Sequence, residues 1–244
     1  MKSLCANDEQ RVHLLKLVNL VRSRQLSGSE AWSAFSSPSA NKSFNRANDQ
    51  VVTFAFTLAE RKTYDSLRAA VKDYLFAQCS GCCSYCRRPV GHYGWTWHIE
   101  HVIPKSKYRS HAFKLSNLTL GCSHCNFWKG ARVDQHVVLQ QGLVIINPVE
   151  TGFKYSEHLR YVQLTTESLS FAKYSTHSLK GKRTYDDLSF SELERAHAIN
   201  GLSGTMAALH ERISGAMEAG LSQPHGLQLV NLLAQLKAAI YRRE

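Results

Sequence analysis

The middle of the chain reads Cys83-Ser-Tyr-Cys86, then His98-Ile-Glu-His101-Val-Ile-Pro-Lys105, then Cys122-Ser-His-Cys125. Two Cys-x-x-Cys pairs can supply four thiolates to one tetrahedral zinc ion, which would clamp the ends of the segment between them. That segment contains an adjacent carboxylate and imidazole, Glu100 and His101, which can bind a second metal and activate a water molecule. The stretch therefore predicts a structural zinc site that frames a reactive pair.

The zinc ligands have rivals in the sequence. Cys79 and Cys82 form a second Cys-x-x-Cys pair beside the first, although the spacing to the following hairpin favours Cys83 and Cys86. His124 could replace a cysteine of the later pair, and all the cysteines could be buried free thiols. The predicted set is Cys83, Cys86, Cys122 and Cys125.

The composition is that of an ordinary globular protein. Of the 244 residues 43% are hydrophobic, which is enough for a core without disulfides. No apolar run is long enough to cross a bilayer, and the start of the chain turns polar at once, so we expect neither a membrane association nor a secretory signal. We expect a cytoplasmic protein, in which paired cysteines bind metal.

The positive charge is concentrated around the reactive pair. Residues 79–132 carry a net +7 of the total +11, from eight basic residues and a single acid, Glu100. A solvated surface usually mixes signs, so this concentration favours a polyanionic partner, and nucleic acid is the predicted one.

The apolar pattern predicts an α+β protein with a zinc-stapled core between helical flanks. We predict a helical N-terminal region over 1–78, the core over 79–135, and a small β patch with C-terminal helices over 136–244. In more detail, the pattern predicts helices over 8–25 and 57–77, a loop over 33–49, a hairpin strand leading to Glu100, and a short helix from the second cysteine pair through Lys129. It further predicts β structure within 137–148, an exposed polar stretch over 175–187, and helices over 189–218 and 225–242.

The pair Glu100-His101 suits phosphodiester hydrolysis, which needs an activated water and a cation near the phosphate. Imidazole is the natural base near neutral pH, and a carboxylate is a hard oxygen ligand for Mg²⁺. Strand alternation would place the two side chains on opposite faces, so the strand must end or twist here, and Pro104 is consistent with that exit. Taken alone, the pair is explained better by a surface glutamate beside a packed histidine.

A longer pattern changes this interpretation. Glu100-His101-Val-Ile-Pro104, then Asn117-Leu118, then Cys122-x-x-Cys125-Asn126-x-x-Lys129-Gly130 resembles the HNH endonuclease family, whose core is the ββα-metal fold. The resemblance implies a nuclease that needs a divalent cation, Mg²⁺ or Mn²⁺, beside its structural Zn²⁺. It implies that His101 is the general base, that Glu100 and Asn126 bind the catalytic metal, that Asn117 braces the loop holding the base, and that Lys129 faces phosphate. Glu100 stands where many members carry aspartate.

Other side chains near the pair have two interpretations each. Lys105, Lys107 and Arg109 are expected to contact backbone phosphates, against the alternative of a solvated loop. His98 could contact the metal or the scissile phosphate, but packing or support of a ligand is favoured. Trp95 and Trp97 are expected to pack in the hairpin rather than stack on bases.

The region after the core suggests a narrower resemblance. Leu143-Val-Ile-Ile-Asn-Pro148, Tyr155-Ser-Glu-His158 and a late helix over 198–212 look like the layout of HNH proteins from retron and Septu-type antiphage systems (PtuB-like). This resemblance implies a defence nuclease restrained by an ATPase partner. The C-terminal helices are then candidate partner surfaces, although core packing explains their apolar stripes equally well.

The sequence thus predicts a metal-dependent endonuclease, with DNA favoured over RNA. The main rival is a zinc-containing module that binds nucleic acid or protein without cutting. The basic cluster and the cysteines fit both functions, and only Glu100, His101, Asn117 and Asn126 favour the enzyme. A zinc peptidase is disfavoured because the His-Glu-x-x-His motif is absent.

Overall fold

The computed structural model describes residues 4–46, 50–91, 94–165, 170–195 and 215. The chain forms two compact units, one from Met1–Leu143 with Asn147–Phe153 and one from Val144–Ile146 with Lys154–Glu244. Helices and small antiparallel hairpins alternate along the described residues, and the α+β prediction is confirmed.

Three helices form the N-terminal part of the first unit: α1 (Asp8–Arg22), α2 (Gly28–Ser36) and α3 (Leu58–Gln78). Both α2 and α3 begin with a capping box, in which a hydroxyl and a glutamate satisfy the free backbone N–H groups of the first turn. The helices bury one apolar stripe each, and these stripes meet in a common core of Leu17, Val21, Ala31, Phe35, Tyr64, Leu67 and Val71. The two predicted helices, 8–25 and 57–77, are confirmed.

The predicted loop over 33–49 is wrong over most of its described length. Residues 33–36 continue α2, and β1 (Asn41–Asn45) pairs with β2 (Val51–Ala55) in an antiparallel hairpin. The serine- and asparagine-rich composition misled the prediction because β1 has only half-buried and exposed side chains, so it shows little apolar alternation.

The zinc-framed segment is a hairpin followed by a helix. Strand β3 (Trp97–His101) pairs antiparallel with β4 (Leu118–Cys122), and α4 (Ser123–Arg132) starts directly after β4. Between the strands lies a loop, residues 102–117, that contains two short 3₁₀ turns. Every residue of β4 is buried, so this strand is the spine of the core. The strand before Glu100 and the helix after the second cysteine pair are both confirmed.

The second unit has its own hairpin and helices: β5 (Leu159–Thr165), β6 (Ser170–Thr176), α5 (Leu179–Asp187) and α6 (Phe190–Arg195). Its core includes Tyr174, which stacks on Tyr161 at 4.6 Å and lies 4.5 Å from Phe190 between ring centroids. Among the described helices, none is both long enough and apolar enough to cross a membrane.

The prediction of β structure within 137–148 is wrong. Residues 137–148 form a 3₁₀ turn and one isolated bridge rather than strands, because Gly142 interrupts the apolar run. The stretch 175–187, predicted to be exposed, is largely α5; most of its side chains are exposed or half-buried, and Ser175, Gly181 and Thr184 are buried. Of the predicted helix 189–218, the structure describes α6 and residue 215, and the predicted helix 225–242 lies outside the described residues.

Candidate active site and zinc centre

Four cysteines meet at the base of the β3–β4 hairpin. The sulfur atoms of Cys83, Cys86, Cys122 and Cys125 all lie within 4.8 Å of one another, and all four residues are buried. The first pair sits in the turn before β3, while the second spans the end of β4 and the first turn of α4. Four converging thiols at this separation are the ligand set of a structural zinc site.

The environment of these thiols also fits a cation. Hydrogen bonds from the neighbouring thiols lower the pKa of Cys122. Burial raises the pKa of Cys86 and of Cys125 well above the ordinary value, so deprotonating these two thiols without a metal would be costly. A bound Zn²⁺ offsets that cost, because it ligates the thiolate form. The rival residues Cys79, Cys82 and His124 lie outside the cluster, and Cys79 contacts Ser84 instead, at 3.2 Å between Sγ and Oγ.

A buried lysine joins the strand to the helix. The Nζ of Lys129, which has no exposed surface, lies 2.9 Å from Oε1 of Glu100 and 2.6 Å from Oδ1 of Asp134, and it donates to the carbonyl of His101 at 2.8 Å. These contacts fix the position of Glu100 from the α4 side. The ammonium is therefore enclosed by protein, and the expectation that Lys129 faces phosphate is not what the structure shows.

The charges in this group depend on one another. Burial alone would favour the neutral amine, but the carboxylates of Glu100 and Asp134 hold the pKa of Lys129 above its ordinary value. Burial raises the pKa of Glu100, and the Lys129 ammonium opposes that rise. The lysine thus supplies the positive charge that lets a carboxylate persist in a buried site.

His101 takes a different set of neighbours. It is only 3% exposed, and its Nε2 lies 2.9 Å from the carbonyl oxygen of Ala112 in the β3–β4 loop. A carbonyl can only accept, so Nε2 carries the hydrogen and Nδ1 is left with a lone pair. This Nδ1 is buried and has no hydrogen-bond partner among the described residues. The indole of Trp32, from α2, meets the imidazole edge-on with ring centroids 4.4 Å apart.

The imidazole is uncharged in this environment. Burial is the main cause that lowers the pKa of His101 to about 3, and the positive charge of Lys105 adds to it. Lys105 also acts on Glu100, whose carboxylate it stabilises. The half-buried ammonium of Lys105 therefore lies close enough to influence both members of the reactive pair.

Asn117 closes the loop between the strands. Its Nδ2 donates to the carbonyls of Ile103 and His111, at 2.9 and 3.1 Å, and its Oδ1 accepts from the N–H of Ile103 at 2.7 Å. The side chain is 2% exposed. These are the contacts expected of a residue that braces the loop beside His101.

Helix α2 packs directly on this loop through a glycine. A Cβ atom added to Gly28 would lie 2.2 Å from the carbonyl oxygen of Lys105 and 3.1 Å from Cα of Arg109. Both neighbours are backbone atoms that cannot move aside cheaply. Glycine at this position therefore permits the approach that brings Trp32 onto His101.

The remaining predicted residues are distributed around this centre. Asn126 is half-buried on α4, one turn before Lys129, so both lie on the side of the helix that faces β3. Lys107 is exposed and reaches the carbonyl of Gln135 at 3.2 Å, and Arg109 is half-buried. His98 is exposed on β3.

The basic cluster is smaller at the surface than its composition suggests. Besides Lys129, Arg88 is buried, and its guanidinium stacks 4.0 Å above the ring of Trp95. Trp95 itself is 42% exposed, contrary to the expected packing within the hairpin. Trp97 is half-buried, 6.0 Å from Phe76 between ring centroids.

Sequence reasoning missed two residues of this site, Trp32 and Asp134. Asp134 follows α4 and had no motif to mark it, and its spacing of five residues from Lys129 is not one at which helical side chains pair. Trp32 lies far from the core in sequence, directly before the predicted loop over 33–49, and nothing local pointed to His101.

The segment that contains the four cysteines and the pair Glu100-His101 resembles a known protein family. Residues 83–132 match the model of the HNH endonuclease family. The match begins at the first zinc ligand and ends with α4, so it covers the hairpin, the helix and the reactive pair. No curated protein and no solved structure matches the chain. The HNH core is therefore the shared part, and the helices on either side of it lie outside the match.

Proposed function

We propose that the protein is a metal-dependent endonuclease that hydrolyses phosphodiester bonds in nucleic acid, with DNA as the preferred substrate. The observation that carries this proposal is the state of His101 inside the HNH core. Its Nε2–H is committed to the Ala112 carbonyl, and its Nδ1 has a lone pair without a partner among the described residues. A neutral imidazole fixed in one tautomer is the form that accepts a proton.

In this proposal, Nδ1 of His101 accepts the proton of the attacking water. The backbone of the Asn117-braced loop holds the ring in place by way of Ala112, and Trp32 limits its rotation. Lys105 is placed to offset negative charge on the phosphate. Because His101 is 3% exposed, the side chains around it must shift slightly when the substrate arrives.

The residues present fit a divalent cation. Glu100 offers a carboxylate and Asn126 an amide oxygen, and such hard oxygen donors suit Mg²⁺ or Mn²⁺. When bound, the cation would stabilise negative charge on the phosphate and on the leaving oxygen. The ammonium of Lys129 holds Oε1 of Glu100 in position.

A direct test uses the purified full chain with supercoiled plasmid, linear duplex DNA, single-stranded DNA and RNA. We expect phosphodiester cleavage with Mg²⁺ or Mn²⁺ and none without a divalent cation. Glu100→Gln and Asn126→Ala should require more divalent cation for the same rate. A chain that binds these nucleic acids tightly but cuts none of them, with either metal, would instead support the non-catalytic binding module.

A role in antiphage defence is a second and separate proposal. We propose a role in antiphage defence with an ATPase partner, supported by the likeness of the segments after the core to retron and Septu-type HNH proteins. When a tagged form of the protein is expressed in its host and purified, an ATPase should copurify with it. That ATPase should suppress cleavage. Purification of the chain without such a partner, together with unregulated cleavage, would contradict the defence role and leave the nuclease proposal intact.

A further inference from the structure

Helix α3 carries a line of charged side chains along one face. Arg61, Asp65, Arg68 and Lys72 follow one another at spacings of three or four residues, so they share one face of the helix. At the end nearest the HNH core, this face borders a groove of about 470 Å³ between α2, α3 and β3. Such a volume accommodates a group of nucleotide size.

The groove is positively charged. Arg68 donates to Asp65 at 3.0 Å and also to the carbonyl of Ser36, so the one carboxylate in the groove is already neutralised. Lys72 is exposed, and its ammonium lies 4.7 Å from the ring centroid of Trp97. Within the described residues no carboxylate forms an ion pair with Lys72. Its charge is therefore available to an anion in the groove.

The groove leads to the reactive pair. Its β3 side consists of Trp97, His98 and Ile99, which directly precede Glu100 and His101. Trp32 lines the groove and also touches the His101 ring. An extended chain lying in the groove would therefore run along β3 toward His101.

We propose that this groove binds the phosphodiester backbone of the substrate strand beside the cleavage position. Lys72 contacts a phosphate, and the Trp97 ring gives a flat wall for a sugar or base. This inference rests on the proposed nuclease function and adds a binding surface that the HNH core does not contain. Helix α3 lies outside the family match, so the chain supplies this surface from its own N-terminal region.

The test compares charge reversal at two exposed lysines of the same helix. Lys72→Glu changes the groove, whereas Lys62→Glu makes the same change about a quarter turn away, outside the groove lining. Fluorescein-labelled DNA, as a duplex and as a single strand, is titrated with each full-length variant without added divalent cation. Salt titrations and a thermal melt accompany each measurement.

We expect Lys72→Glu to weaken DNA binding by about tenfold and to lower the slope of log affinity against log salt by about 1. In cleavage assays KM should rise while kcat stays near the wild-type value, since the residue contacts substrate away from the reacting atoms. Lys62→Glu should change binding by less than about twofold, the range of a distant surface charge.

Equal DNA binding by the two variants would contradict the proposal that the groove binds the substrate strand. The nuclease proposal would still stand, provided that the wild type cuts. A wild type that neither binds nor cuts any nucleic acid would remove both proposals together. Lys72→Gln separates loss of a contact from introduced repulsion, and unchanged affinity in this variant would also count against the groove.

Discussion

The indole of Trp32 meets the imidazole of His101 edge-on, with ring centroids 4.4 Å apart and planes at 87°. Trp32 belongs to α2, outside the segment that matches the HNH family, whereas His101 ends β3 inside it. The orientation of the candidate base therefore depends on a helix that the family core does not include. Edge-to-face contacts of this kind contribute about 0.5–1.5 kcal/mol beyond burial, enough to favour one ring orientation.

Trp32→Ala should lower kcat by about tenfold or more, because the ring of His101 would be free to turn about its single hydrogen bond. Trp32→Phe retains an aromatic edge and should recover most of the rate. Steady-state cleavage of plasmid DNA measures both variants.

Phe35→Leu is the matched control for Trp32. Phe35 is fully buried on the same helix and contacts Trp32 at 5.0 Å between ring centroids. This variant should lose stability but retain kcat at a temperature where it is folded. If Trp32→Ala cuts as fast as the wild type or faster, the indole covers His101 rather than positioning it.

Asn117→Ala should destabilise the protein by about 2–3 kcal/mol and reduce cleavage. It leaves the N–H of Ile103 and two loop carbonyls without their partner in a buried site. Urea denaturation measures the first effect. The exposed neighbour Ser116, changed to alanine, should remain within about 0.5 kcal/mol of the wild type. Matching stabilities for the two variants would show that the amide does not brace the loop.

Lys129→Met should cost about 3–5 kcal/mol of folding stability, since it leaves the carboxylates of Glu100 and Asp134 without their buried counter-ion. Lys107→Met, at an exposed lysine of the same core, should change stability by less than about 0.5 kcal/mol. Denaturation of the zinc-loaded proteins distinguishes them. A Lys129→Met protein as stable as the wild type would mean that the ammonium contributes nothing net to the fold.

Cys125→Ser should abolish stoichiometric zinc binding and unfold the HNH core, because structural zinc sites supply the folding energy of small metal-stapled motifs. Cys82→Ser should retain one zinc ion per chain, since Cys82 lies outside the cluster. Zinc content by atomic emission and thermal melts report both results. Loss of zinc from Cys82→Ser would indicate that Cys79 and Cys82, rather than Cys83 and Cys86, bind the ion.

The zinc centre and the HNH hairpin could be predicted because their signals are local. Paired cysteines, a strand that ends in Glu100-His101 and a helix that begins within the second cysteine pair are each encoded within a few residues. In the structure Cys83 and Cys86, and not Cys79 and Cys82, belong to the four-cysteine cluster. The spacing in the sequence favoured this pair but did not exclude the other. The strand also separates its two reactive side chains, with Glu100 meeting α4 and His101 meeting α2.

The support of the site could not be predicted because it depends on distant contacts. Trp32 reaches His101 only because Gly28 allows α2 to approach the loop, a requirement that appears once both backbones are placed. The role of Lys129 likewise depends on contacts between residues that are distant in sequence. The resemblance to the HNH family implied a phosphate contact, but the tertiary fold encloses the Lys129 ammonium between Glu100 and Asp134. Short strands such as β1 were missed because their side chains are only partly buried.

Cleavage by His101→Ala protein tests the central claim most directly. Wild type, His101→Ala and, as a matched control, His136→Ala are incubated with supercoiled plasmid and Mg²⁺; His136 is exposed in the turn after α4. Zinc content and thermal melts are recorded for each protein. We expect His101→Ala to bind zinc and fold but to lose cleavage by at least about a hundredfold, the typical contribution of a general base, while His136→Ala cuts normally. Cleavage by folded His101→Ala at the wild-type rate would contradict this expectation.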